Sequence, residues 1–196
     1  QNACITSLAF RDGRNGLAVS SIDSNINVAP NRLARTTDGG LTWTEIGAPA
    51  SPTGNCLAYV PGTQGTYVLV AGVYTGDAAG SAYSTNSGTT WTTIDTNPYN
   101  AVMFLSPTIG WAGGITSATN GGMYKWTGNL LVPPTQAQWL EQTSGFPDSG
   151  KTILSMNAAN QNVVWALGGD FGLNPYQRFT RTTNGGTLWV SGIVTG

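Results

Sequence analysis

Few residues of this chain can do chemistry, and their types limit what that chemistry is. The 196 residues include eight Lys and Arg, nine Asp and Glu, two Cys and no His. Without His, Ser-His-Asp and Cys-His catalysis, histidine metal sites and histidine pH switches are all removed. Carboxylates remain. Asp23, Asp77 and Asp170 fall in segments that would join second to third strands, and Asp95 and Asp148 fall between repeats. Tyr99, Phe146, Phe171 and Tyr176 accompany them on the same predicted loop face. Carboxylates beside exposed rings can bind sugar hydroxyls by hydrogen bonding and sugar faces by stacking, or hold Ca²⁺ through oxygen ligands. The expected binding set is therefore Asp77, Tyr99, Asp148, Asp170, Phe171 and Tyr176. Against it stands the plainer reading that loops are polar because they face water. No Asp-x-Asp-x-Asp-Gly loop supports calcium, so neither a metal nor another cofactor is expected. Two carboxylates about 5 to 10 Å apart across a cleft would instead make a glycoside hydrolase. Asp23, Asp77, Asp148 and Asp170 are its candidates.

The cations offer a second grouping. RLARTTDGG and RFTRTTNGG align Arg32 with Arg178 and Arg35 with Arg181. Were the first and last repeats neighbours in a ring, these four would form an anion-binding or partner-docking patch. Solvated strand residues, each paired locally, are the alternative. Cys4 and Cys56 permit one disulfide in an oxidising compartment. Their registers differ by about three residues when SLAF is aligned with CLAY, so a bridge needs a local bend within the Cα limit of about 7 Å.

The elements that must position these groups come from an internal repeat. TTDGGLTW (Thr36 to Trp43), STNSGTTW (Ser84 to Trp91) and TTNGGTLW (Thr182 to Trp189) read alike. Trp43, Trp91, Trp139 and Trp189 return at intervals of 48, 48 and 50 residues, with GNLLVPPTQA replacing the box before Trp139. Each interval holds four apolar segments, rich in β-branched and aromatic residues and bounded by Gly, Pro, Asn or Asp, which read as strands. Four antiparallel strands per 40 to 50 residues is a propeller blade. The expected fold is all-β, a propeller of four antiparallel four-stranded blades of about 49 residues each. Their predicted bounds are 1–47, 48–95, 96–144 and 145–196. Three arrangements fit: a closed four-bladed ring, half of an eight-bladed ring built by two chains, or four blades of a longer propeller. The box Trp residues are expected to pack between sheets, and the core is expected to take Trp111, Trp126 and Trp165 as well.

The pattern Ser/Thr-x-Asp-x-Gly-x-Thr-Trp resembles the Asp-box, or BNR repeat. That repeat occurs in sialidases, sortilin-type receptors, xyloglucan-cleaving glycosidases and photosystem II assembly and stability factors. The match is full at Asp38, carries Asn for Asp at Asn86, and has Leu188 for the seventh-position Thr in the box of Asn184. Gly110-Trp111 also resembles the second strand of the photosystem-factor repeat. The resemblance implies a structural role for Asp38, Trp43, Asn86, Trp91, Asn184 and Trp189. It does not extend to sialidase chemistry. None of Arg11, Arg14, Arg32, Arg35, Arg178 and Arg181 has a Phe/Tyr-Arg-Ile-Pro setting, and the only glutamates, Glu45 and Glu141, fall on outer fourth strands.

Charged residues make up 9% of the chain, with a net charge of -1. Nucleic acid is excluded as a partner, since phosphate binding needs a Lys/Arg surface. No run approaches the roughly 18 to 20 apolar residues that span a bilayer, so membrane insertion is not expected. The chain opens at Gln1 without Met or a charged-then-apolar leader. That suggests removal of a signal peptide or a cut from a longer precursor, and either fits a secreted or extracytoplasmic protein. The expected function is a non-catalytic binding or assembly module that recognises glycan or protein through the loop face opposite the box turns. The low charge also fits a structural subunit of an extracellular polymer or sheath, or a homo-oligomer; the paired-Asp glycosidase is the remaining alternative.

Overall fold

The computed structural model describes residues 3–22, 32–50, 52–54, 56–72, 78–117, 121–132, 138–169 and 178–194. They build four antiparallel four-stranded sheets, each in chain order. Blade one holds β1 (Ala3–Phe10), β2 (Gly16–Ile22), β3 (Arg32–Thr36) and β4 (Thr44–Ile46). Blade two holds β5 (Cys56–Tyr59), β6 (Tyr67–Ala71), β7 (Gly80–Ser84) and β8 (Thr92–Asp95). Blade three holds β9 (Ala101–Ser106), β10 (Ile109–Gly113), β11 (Gly122–Trp126) and β12 (Trp139–Thr143). Blade four holds β13 (Thr152–Ala158), β14 (Val164–Gly169), β15 (Arg178–Thr182) and β16 (Val190–Ile193). The fold is the expected all-β propeller.

The third-to-fourth-strand turns close by local hydrogen bonding. Thr36 Oγ1 accepts from the Gly40 amide at 2.9 Å, and Asp38 Oδ1 accepts from the Thr42 amide at 3.0 Å. Thr42 donates its hydroxyl to Asp38 Oδ2 at 2.6 Å, and these bonds hold the Asp38 carboxyl down at about 2. Asn86 and Asn184 take the same amide bonds, from Thr90 and Leu188, through one amide oxygen. That single acceptor is all the turn requires, which is why Asn substitutes for Asp. Gly39 and Gly40 supply the positive φ of 79° and 92° that the turn demands.

Blades cohere through apolar faces, since a sheet with an apolar face must bury it on another. Leu17, Val19 and Leu33 of blade one meet Leu57, Tyr67 and Leu69 of blade two. Val68, Val70 and Tyr83 meet Val102, Phe104 and Trp126. Trp111 and Met123 meet Ile153, Val164 and Trp189. At this last boundary Gly113 lies so close to Ile153 that a Cβ would overlap its side chain. Inner strands pack in series, β1 on β5, β5 on β9 and β9 on β13, and among the described residues no comparable packing joins β13 back to β1. The four blades form an open arc. Ile5, Leu8 and Phe10 remain exposed on blade one, and Leu154, Trp165 and Val190 on blade four.

Three expectations are corrected, two of them by this openness. Arg32, Arg35, Arg178 and Arg181 do not share a patch, because their blades stand at opposite ends of the arc. Arg32 pairs with Glu45 at 3.3 Å, while Arg35 reaches the Thr89 hydroxyl on blade two. Trp165 is 42% exposed rather than core, whereas Trp111 and Trp126 are buried as expected. The Cys4–Cys56 bridge is also absent: Cys56 is a free thiol, and burial pushes its pKa up. Ser7 is the residue opposite it, accepting the Leu57 amide at 3.1 Å. Three residues of strand, about 10 Å, separate Ser7 from Cys4, which exceeds disulfide reach.

Trp111→Ala should cost about 3 to 5 kcal/mol in urea unfolding, because it empties the boundary between blades three and four. Thr182→Val leaves the Gly186 amide and Asn184 carboxamide without their hydroxyl partner. About 1 to 3 kcal/mol should be lost in the same measurement.

Candidate functional site

The connection from β12 to β13, residues 144–151, runs along the face opposite the box turns. It is zipped to the segment after β10: Thr116 donates its amide to the Lys151 carbonyl at 2.8 Å, and the Lys151 amide returns to Thr116 Oγ1 at 2.9 Å. Gly150 donates to the Thr116 carbonyl at 2.7 Å, and Ile115 bridges Thr152. Between this zipper and the end of β12 lies a groove of about 530 Å³. Thr116, Glu141, Thr143, Phe146, Asp148 and Ser149 line it.

Two carboxylates with different supports face this groove. Glu141 accepts the Gly121 amide at 2.7 Å, which fixes it at the rim. Asp148 accepts from the Lys151 ammonium at 2.8 Å and lies 3.7 Å from the Arg178 guanidinium. The Lys151 hydrogen bond, with the Arg178 charge, holds the Asp148 carboxyl below its ordinary range despite some desolvation. Lys151 is itself buried, so its charge requires this partner. The Phe146 ring packs over Gly168, where no side chain intervenes, and joins the core between blades three and four. Hydroxyls, carboxylates and a half-buried ring thus meet in one concave place, able to accept hydrogen bonds from a polar ligand and cover part of an apolar face.

Of the expected binding residues, the structure brings Asp148 to the groove. Asp77, Asp170, Phe171 and Tyr176 lie outside the described residues, as does Asp23. Tyr99 is a correction: it is fully buried, and its hydroxyl donates to Asp95 Oδ2 at 2.7 Å. Its ring meets Tyr124 edge-on at 4.9 Å, so it holds blades two and three together and presents nothing to solvent. Burial and the Asp95 charge drive its phenol far above the ordinary value. Asp95 is likewise occupied, accepting from Ser81 at 2.9 Å. Glu141 is the residue that sequence reasoning missed. An outer strand is far from the axis, but this groove sits at the rim between blades, where the end of β12 meets the loop face. Its position three residues before the interblade connection was the available signal.

No protein-family model matches the chain, and no curated protein matches its sequence. Solved structures do. The GH74 enzyme of Niastella koreensis superposes with a TM-score of 0.64 at 15% identity, covering 96% of this chain and 38% of that one. A structure described as YCF48 bound to D1 peptide superposes at 0.51 and 15% identity, covering 96% of this chain and 67% of that one. The chain thus spans well under half of the GH74 protein's length. These likenesses show the propeller fold and leave activity open.

Asp148→Asn should lower the melting temperature at pH 7, because the buried Lys151 ammonium loses the charge of Asp148 at 2.8 Å. A carboxyl whose folded pKa is depressed stabilises above its unfolded value, about 4, and loses that contribution as pH falls through the folded one. Melting curves of wild type and Asp148→Asn should therefore separate at pH 7 and converge as acid protonates the folded-state carboxyl, below the ordinary carboxylate range.

Proposed function

We propose that this chain is an exported, non-catalytic binding module whose third-to-fourth-strand turns are Asp-box repeats, and that it takes a neutral glycan in the groove between blades three and four. The observation that carries the reading is the pair of carboxylates, Glu141 and Asp148, lining one groove with hydroxyls and the Phe146 ring. Acceptors of this kind suit sugar hydroxyls, and the ring suits a sugar's C–H face. A glycosidase needs a general acid with a raised pKa, a role that Asp148 does not fit. Asp148 is shifted the other way and is engaged by Lys151.

The experiment is a glycan array followed by calorimetry on the strongest hit. Glu141→Gln removes an ionised acceptor without changing shape and should weaken binding about 10- to 100-fold, the equivalent of one charge-assisted hydrogen bond. Phe146→Ala should weaken it too, and no reducing ends should appear on long incubation. Silence across the whole array, or affinity that Glu141→Gln leaves unchanged, would defeat the sugar reading. Capture of an extended peptide by the same groove would replace it with a protein ligand.

A further inference from the structure

We propose that two copies of this chain close one eight-bladed ring, with blade four of each packed against blade one of the other. Inside a single chain, each blade boundary repeats a small set of contacts. An indole from the turn of one blade enters the sheet before it. Trp91 packs on the Leu17 and Leu33 cluster of blade one. Trp139 donates its indole N–H to Ser81 of blade two, and Trp189 donates to Gln142 of blade three, each at 3.1 Å. In the other direction, at the first and third boundaries, a cation on a third strand reaches the turn of the next blade. Arg35 donates to the Thr89 hydroxyl at 3.4 Å, and Lys125 donates to the Gly185 carbonyl at 2.7 Å.

The two ends of the arc hold the unmatched halves of this boundary. Trp43 occupies the same turn position as Trp91 and Trp189, yet it is 37% exposed and, among the described residues, meets its own blade, through the Gly40 carbonyl and the Phe10 ring. Beside it stand Ile5 and Leu8, 66% and 53% exposed. At the far end, Trp165 pairs with Arg181 in the register by which Trp111 pairs with Lys125. Trp111 is fully buried by the following blade and Trp165 is not. Arg181, the counterpart of Lys125, lies over the Trp165 ring at 5.0 Å instead of reaching a turn.

A second copy supplies both missing halves at once. Its Trp43 enters the Trp165 and Phe179 face of blade four, and Arg181 reaches its Asp38–Gly40 turn. Charge agrees with this pairing, because the exposed Glu45 sits in the same cross-strand row as Leu8 and offers Arg181 an acidic neighbour. Made twice about a two-fold axis, the contact leaves no blade face open, and eight blades lie within the range that propellers adopt. The occupant thereby continues an interface already built three times within the chain, in place of the large apolar end faces a lone arc would expose.

Sedimentation equilibrium of the 196-residue chain should return twice its 20.4 kDa mass across the micromolar range. Leu8→Glu and Trp165→Glu, each an exposed position in the single chain, should each give monomers with an unchanged far-ultraviolet circular dichroism spectrum. Should either fail to fold, Arg181→Ala provides the test, raising the dimer dissociation constant about tenfold. A monomeric wild type, as expected if further blades of a longer polypeptide cover these faces, would overturn the proposal. So would a mass that climbs past two chains with concentration, or a Trp165→Glu dimer as tight as wild type.

Discussion

The fold depends on one interaction, the insertion of a turn indole into the sheet of the preceding blade. Four short sheets of three to eight residues per strand could not each bury both faces alone. Trp139 and Trp189 solve this for their blades by carrying apolar area across the boundary and ending in a hydrogen bond to the neighbour. The eight-residue turn exists to aim that ring. Its hydroxyl and carboxylate or carboxamide satisfy the turn amides, its glycines accept positive φ, and the Trp that follows enters the next strand at a fixed angle. Blade three reaches the same end by other means. There Trp126 donates to the Pro107 carbonyl, and Leu130 is buried in the cluster shared by blades two and three.

A protein assembled this way needs little charge. Polar requirements inside the blades are met by Thr, Ser and Asn acting over two to four residues, as at Thr36, Ser84 and Thr182. The few ionised groups therefore stand out where they cluster. Asp148, Lys151 and Arg178 gather at the rim between blades three and four, and Glu141 joins them from the middle of β12. A buried ammonium is costly unless paired. Its presence beneath an open groove ties the shape of that groove to the charge of Asp148.

Architecture was legible in the sequence because it rests on periodic residues. The tryptophan interval, the box and the alternation of strand and turn all repeat, and repetition survives the loss of a box in blade three. Asp148 was legible for a similar reason, since topology assigned its segment to the loop face. What could not be read were features set by the ends of the arc and by depth. Trp165 and Trp111 sit in equivalent registers, and only the presence of a following blade makes one core and the other surface. Tyr99 looked like a loop aromatic, but the connection dips inward to place its hydroxyl on Asp95. Cys4 and Cys56 both lie near the starts of inner strands, yet the stagger of β1 against β5 sets Ser7 opposite Cys56. Glu141 was discounted by distance from the axis, a criterion that does not apply to a site at the rim.

The most direct test is a nitrogen-15-edited nuclear Overhauser spectrum of the indole N–H groups. The account predicts cross-peaks from Trp139 to Ser81 and from Trp189 to the Gln142 side chain, each crossing from one blade to the blade before it. Indole cross-peaks confined to each tryptophan's own blade would contradict it.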